Sequence, residues 1–315
     1  MDPLRRAAAQ ALAHPVSHRV VYTAGVTALV ALLAYSRHCY REWYALGEGG
    51  IPRTPGGWLI NVAAHLVARR DHRAVPAPYE QQRGKKGTAA VGEGGEGTII
   101  ALPSRHDKEK YDAHTRASFL PAALVGEADM PMLPAHGPRP AVPDTVVPQR
   151  QTSHTAGAAT IAAQEAYLRA VAEANPRLFA VRPSALESPK FNALWLAGSP
   201  SSPSDESDDT AAHVVDPARV RWFPRAARGE VAHVHDEGST HVCLSLVDAA
   251  EVVRRGWGER HKLSGVKDIL PWGYVLVYAP RAGGRDWDVW KGIVVAGARV
   301  AARSAGFEGG IVVPE

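Results

Sequence analysis

Four of the fourteen histidines, His233, His235, His241 and His261, fall in the stretch from Glu230 to His261. Imidazole, with an unperturbed pKa of about 6.5, can take up and return a proton near neutral pH, and its neutral form is a common metal ligand. Imidazoles brought together would therefore suit general-base catalysis or metal binding. The competing reading is a solvated polar sheet face, which explains any single histidine. An HxH pair, a second-strand histidine and a fourth after a glycine corner favour a site.

Local pattern decides whether they can meet. Val231 to His235 and His241 to Val247 each alternate apolar and polar residues, the period of a half-buried strand. Asp236 to Thr240 between them is rich in turn formers. A hairpin around that loop is expected to set His235 opposite His241, Val234 opposite Val242 and His233 opposite Cys243. Asp248, with Glu251 three residues on, is expected to cap a following helix, and Gly256 to stop it in a left-handed conformation. The corner Gly256-Trp257-Gly258 then swings His261 back toward the hairpin. His235 or His241 is the expected general base, with His233 deeper and orienting its neighbour. Asp236 either holds an imidazole tautomer or bonds its own backbone in the turn. Arg260 or Arg281 is expected to hold an anion, the plain alternative for Arg281 being a surface salt bridge. Trp257 and Tyr278 are candidate groove residues. Core packing is the preferred reading for Trp272 and Tyr274.

These residues also carry a family resemblance. The string AHVHD…H…L…DA.EVV..GWGERH.L.G, followed by YVLVYAPR from Tyr274 to Arg281, resembles the fungal luciferase family, which also occurs in fungi that do not glow. Leu133-Pro134, Gly137, Arg139-Pro140 and Gln149-Arg150-Gln151 resemble its LP…G.RP…QRQ segment, and Gly47 to Gly57 its region after a membrane anchor. The resemblance implies a membrane-anchored oxygenase that adds O2 to a 3-hydroxy-α-pyrone or related phenolic enol and loses CO2, with no cofactor beyond O2. Arg150 and Gln151 join the substrate-binding set on the same ground. The loop from His235 to His241 is shorter than in light-emitting members, and an acidic run after YAPR is replaced by Ala282 to Asp286, which leaves luminescence open.

Three chemistries remain in play. Cofactor-free oxygenation needs a base for the enol and a cation for its anion; an imidazole and an arginine supply these. No dinucleotide fingerprint is present, in keeping with no flavin or nicotinamide. A divalent metal on the histidines is the alternative, as oxygenase or hydrolase. The glutamate of a cupin pattern is missing at its spacing, Glu237 being too close, and Asp236 directly after His235 breaks the HxHxDH pattern. The third reading is a non-catalytic module binding a small molecule or a protein at a membrane.

The rest of the chain sets the frame. A net charge of +4 without a basic stripe interleaved with aromatics argues against nucleic acid as partner. Cys39 and Cys243 read as free thiols. Val20 to Ser36 carries no charge over the length of a short spanning helix, bracketed by Arg19 and Arg37. The expectation is a single-pass N-terminal anchor in the lipid bilayer, with endoplasmic reticulum or another endomembrane favoured over a mitochondrial address. Its orientation is open because the flanking arginines balance.

The expected organisation is an anchor region over 1–45, a juxtamembrane segment over 46–80, a linker or variable insertion over 81–125, and a luciferase-like domain over 126–315 that folds without the anchor. Within that domain a polar, acidic loop falls at about 198–213. The expected fold is α+β: a largely antiparallel sheet, helices packed on one face, the histidine face open, and a transmembrane helix ahead of it.

Overall fold

The computed structural model describes residues 18–75, 110–111, 113–125, 133–198, 215–223, 227–281 and 284–315. Most of the expected linker over 81–125, and the acidic loop over 199–213, lie outside the described residues. The chain divides into two compact units, 1–47 and 48–315.

In the first unit, α1 (His18–Ala45) is a 28-residue helix, long and apolar enough to cross a membrane. Its aliphatic side chains, Val20, Leu29, Leu32 and Leu33 among them, are exposed.

The second unit is α+β. Its helices are α2 (Pro55–Ala64), the single turn α3 (Ala122–Val125), α4 (Ala158–Ala174), α5 (Leu246–Arg254) and α6 (Arg285–Ser304). Six strands, β1 (Phe179–Pro183), β2 (Asn192–Leu196), β3 (Glu230–Val234), β4 (Thr240–Cys243), β5 (Gly258–Arg260) and β6 (Tyr274–Val277), form one sheet. The order is β1-β2-β3-β4-β6-β5 and each neighbouring pair is antiparallel.

Helices α4, α5 and α6 share one face. Gln164 on α4 and Trp290 on α6 both donate to Thr240 Oγ1, at 3.3 and 2.9 Å. Thr240 pairs with Val277, and Val277 with Gly258, whose missing Cβ would meet Val252 of α5. Side chains alternate along a strand, so Thr240, Val242, Ala232 and Val234 point at this helical layer. Burying each large apolar side chain there contributes about 1.5–3 kcal/mol. The approach of α6 is close: a Cβ on Gly297 would lie 2.7 Å from Val242 and 2.9 Å from the Cys243 carbonyl.

The opposite face carries His233, His241 and Leu276, which pair side by side. It is not open, as the sequence reading had it. The β1–β2 loop, the segment at Gln149 to Gln151 and the chain from His261 to Tyr274 cover it, and the histidines are about 1% exposed. These covers are irregular in backbone and rich in hydrogen bonds, so no periodicity announces them.

Three further expectations are corrected. The β3–β4 turn closes earlier than expected. Gly238 N donates to His235 O and His235 N to Ser239 O, both at 2.9 Å, leaving a three-residue loop with Gly238 at φ +88°. That is the loop whose left-handed third residue calls for glycine. His233 therefore faces His241, and Ala232 faces Val242. Second, the cap of α5 is Ser245, accepting from Asp248 N at 3.1 Å; Asp248 sits inside the first turn and turns away to Ser118 and Phe119. Third, the glycine corner after α5 continues as the edge strand β5. Gly256 does stop α5, at φ +81°.

The domain edge also lies earlier than Gly126. Asn61 Oδ1 accepts from Val146 N and Val147 N, Asp71 accepts from buried Arg260, and Arg73 pairs with buried Glu259. Residues 48–75 belong to the same compact unit.

Candidate functional site

His233 and His241 are cross-strand partners with ring centroids 5.3 Å apart. His235, at the mouth of the turn, lies 4.7 Å from His241 and 5.1 Å from His233. His261 lies 5.6 Å from His241, and Tyr274 stacks on His241 at 4.6 Å. The four predicted histidines are thus brought together. Burying so many polar rings is tolerable only if each is hydrogen-bonded.

A bulge supplies the first partner. Between β2 and β3 the register passes from Leu194↔Ala232 to Trp195↔Glu230, leaving Val231 as the extra residue. One extra residue flips the alternation, so Glu230 joins the face of His233. Glu230 Oε1 then lies 2.7 Å from His233 Nδ1. The same carboxylate accepts from Ser184 Oγ at 2.6 Å, Ala185 N at 2.9 Å and Leu186 N at 3.2 Å. Ser184 Oγ in turn accepts from Glu187 N at 3.0 Å. Glu230 therefore both orients His233 and folds the loop that delivers Glu187.

The network assigns the tautomers. Glu230 presents an acceptor, so His233 Nδ1 donates and its Nε2 is bare. Ser239 Oγ donates to Glu237, so it accepts from His235 Nδ1 at 2.9 Å. His235 Nε2 is left buried with no hydrogen-bond partner among the described residues. Gln149 Nε2 donates to Glu259 at 3.1 Å and to the Arg260 carbonyl at 3.2 Å, which turns its oxygen to His241 Nε2 at 3.2 Å. His241 Nε2 donates there, and Nδ1 is bare. His261 is the opposite case: its Nδ1 accepts from Leu263 N at 3.0 Å, so Nε2 carries the proton.

Three bare nitrogens thus point inward. His233 Nε2 and His241 Nδ1 are 3.3 Å apart, and Glu187 Oε1 is 3.7 Å from His241 Nδ1. One ligand atom from each of Glu187, His233, His235 and His241 lies within 4.8 Å of the others, a set that could hold a divalent ion. Arg150, 3% exposed, grips Glu187 through Nη2 at 3.0 Å and Nη1 at 3.4 Å. Burial, with Arg150 and the neighbouring imidazoles as added positive charge, pushes His235 and His241 well below the usual histidine range. Burial, then Lys262 and Arg150, takes His261 down to about 3. All three are neutral at physiological pH. Burial drives the Tyr274 phenol well above its ordinary value.

The other predicted residues lie elsewhere. The Asp236 side chain is 70% exposed and pairs with Lys190 at 2.6 Å, so the tautomers are held by Glu230, Ser239 and Gln149 in its place. Arg281, 64% exposed, pairs with Asp286, the surface salt bridge of the plain reading. Arg260 is buried but turned to Asp71 Oδ1 at 3.0 Å and its carbonyl at 2.7 Å. Trp257 donates to the Pro134 carbonyl and meets His136 edge-on, while Tyr278 donates to Glu259 at 3.0 Å. Gln151 Oε1 accepts from Ala279 N at 2.8 Å and its Nε2 ties down the His154 carbonyl. Of the substrate-binding set only Arg150 borders the cluster, through its pair with Glu187. The sequence pattern gives no site role to Glu187, Glu230, Ser239 or Gln149. Glu230 stands three residues before His233, but only the bulge reveals its face, and no motif marks Glu187.

A model of the luciferase domain matches residues 228–297, a span that holds the histidine hairpin, α5, the edge strand and most of α6. This match and the similarity to curated fungal luciferases support a fungal luciferase-like family. It is 30% identical over 156 residues to the luciferases of Armillaria ostoyae and Armillaria mellea, covering 49% of this chain and 54% of theirs. It is 38% identical over 60 residues to the luciferase of Neonothopanus nambi, covering 18% of this chain and 22% of that one. The luciferase-like chain thus spans about half the length of the Armillaria relatives it matches. No solved structure matches it.

Proposed function

We propose that this luciferase-like protein is an oxygenase that adds O2 to an electron-rich enol, a 3-hydroxy-α-pyrone or related phenol, with loss of CO2. The observation that carries the reading is the buried convergence of three bare imidazole nitrogens beside the Arg150–Glu187 pair. Ionising an enol requires electron-pair donors for the departing positive charge, and these nitrogens supply them. The resulting anion needs a fixed cation in a site of low dielectric, and Arg150 stands there. His261 Nε2–H adds a neutral donor. The enolate supplies the electrons that reduce O2 to the peroxide level as the carbon–oxygen bond forms. Breakdown of that peroxide releases CO2.

A cleft of about 420 Å3, lined by Glu48 to Arg53 and Glu187 to Pro189, adjoins the cluster. Glu187 belongs to both cleft and histidine cluster. The packing there is close: a Cβ on Gly50 would lie 2.3 Å from the Leu186 carbonyl, and one on Gly49 would lie 3.3 Å from Glu187. Helix α1 serves as the anchor, placing the enzyme at an endomembrane where an apolar pyrone partitions.

The test is O2 uptake and CO2 release by purified protein across a panel of hydroxylated α-pyrones and phenols. Coupled uptake and release with an α-pyrone is the expected result. Ligand binding without turnover across the panel would favour a binding module and overturn the oxygenase. Extraction of the full chain from fungal membranes by alkaline carbonate would contradict the anchor.

A further inference from the structure

The nitrogens that face one another in the pocket present a problem of charge. Their outer partners fix His233 Nε2, His235 Nε2 and His241 Nδ1 as acceptors, and an acceptor carries a lone pair. Two such lone pairs at 3.3 Å repel, as do a carboxylate oxygen and a lone pair at 3.7 Å. Nothing among the described residues donates to His235 Nε2. Arg150 compensates Glu187 from behind and reaches none of the three nitrogens by a hydrogen bond. A group of acceptors closing on one point lacks a cation at that point.

We infer that Glu187, His233, His235 and His241 form a binding site for a divalent first-row transition-metal ion. The inference rests on the reading of this pocket as the reaction centre and names what the bare nitrogens hold. Three imidazoles and a carboxylate suit Fe2+, Mn2+, Co2+, Ni2+ or Zn2+, and the absence of thiolate in the set disfavours soft ions. Metal–nitrogen bonds of about 2.0–2.1 Å put neighbouring ligand atoms of a tetrahedral ion about 3.4 Å apart, close to the 3.3 and 3.7 Å found here. The outer contacts are those of a metal site. A carboxylate on His233, a serine hydroxyl on His235 and an amide oxygen on His241 each fix the ring and raise the basicity of its inner nitrogen. Cys243, on the same strand, pairs with Tyr274 and is absent from the cluster.

Sequence spacing hides this set. His233 and His235 supply the HxH pair and His241 comes from the neighbouring strand, but the carboxylate comes from the β1–β2 loop far upstream. A search for glutamate shortly after the pair finds only Glu237, which is committed to Ser239.

The experiment uses the full-length chain in detergent, without a histidine tag, stripped by chelator and titrated with CoCl2. Visible d–d absorption saturating at a single Co2+ per chain, displaced by Zn2+, is the expected result, together with a rise in thermal midpoint as the ion fills the folded state. Glu187→Gln should weaken Co2+ binding at least tenfold, and Glu230→Gln, which loosens both the orientation of His233 and the loop that carries Glu187, about 10–100-fold. Arg281→Ala should bind as wild type. Near-ultraviolet circular dichroism of the stripped variants reports whether they fold. Wild-type protein that folds yet shows neither d–d bands nor a shifted midpoint at millimolar Co2+ overturns the site, whatever its activity. A loaded protein that fails to consume O2 with any enol leaves the metal site standing and removes the oxygenase.

Discussion

Glu230 is the residue on which the pocket turns. Its two oxygens serve four groups, three on the β1–β2 loop and His233. Replacement by glutamine puts an amide NH2 where one oxygen now accepts backbone N–H groups, so at least one buried donor loses its partner. Glu230→Gln should lower stability by about 1–3 kcal/mol, measured by urea unfolding, because a buried donor is left unpaired. Unchanged stability would mean that the loop holds itself. Strict alternation would point Glu230 away from His233, to the apolar face of Ala232 and Val234; the bulge at Val231 reverses that. The histidines were legible because their alternation survives any hairpin register that shifts each strand by a whole pair. Their partners were not, because they come from loops without a period.

At the scale of elements, the hairpin depends on a helix placed behind it. Gln164 on α4 donates to the Gly238 carbonyl at 2.9 Å and to Thr240, and Ala156 N donates to Glu237 O at 2.9 Å. The turn residues that position His235 and Ser239 are thereby fixed from the far side of the sheet. Helix α5 carries a titrating element of its own. Burial raises the Asp248 carboxyl to about 6, against the hydrogen bonds from Ser118 and Phe119 that lower it. A folded pKa above the unfolded one means that the folded chain holds the extra proton. The resulting stability is complete below the unfolded value of 3.8 and is lost as pH rises through about 6. Asp248→Asn lacks that term, so the excess of the wild-type thermal midpoint over the variant's should shrink between pH 4 and pH 7. A gap that widens over this range would place the carboxyl below its ordinary value.

The hairpin strands and α5 were legible from period, capping residues and a glycine stop. The register was not, because turn chemistry at Asp236 to Thr240 permits loops of three or five residues. Packing chose the shorter: a Cβ at Gly238 would lie 2.4 Å from Ala156.

For the whole molecule, the domain begins at Glu48. Arg150 donates to the Glu48 carbonyl at 2.7 Å, Ser188 pairs with the Glu48 carboxylate, and Arg69 N donates to the Lys262 carbonyl at 2.8 Å. A chain starting at Glu48 should therefore be soluble and melt cooperatively. One starting at Gly126 should lose that transition or melt far lower, since it strips Asn61 from the Val146 and Val147 N–H groups and Asp71 from the buried Arg260 guanidinium. Equal melting of the two would show residues 48–75 to be dispensable. The sequence placed this segment beside a membrane because its apolar positions follow the anchor closely; only tertiary hydrogen bonds tie it to the sheet.

On the function proposed, chemistry resides in the buried histidine pocket and not at the exposed end of β6. The most direct measurement is steady-state O2 uptake with a 3-hydroxy-α-pyrone by wild type, His235→Gln and Arg281→Ala. His235 lies in the cluster with its Nε2 bare, whereas Arg281 is held at the surface by Asp286. Loss of a group that takes part in ionising the substrate costs about 10²–10⁴ in rate. His235→Gln should fall by that order while its circular dichroism is unchanged, and Arg281→Ala should keep the wild-type kcat. Wild-type turnover by His235→Gln, or its loss in Arg281→Ala alone, would move the chemistry out of the histidine pocket.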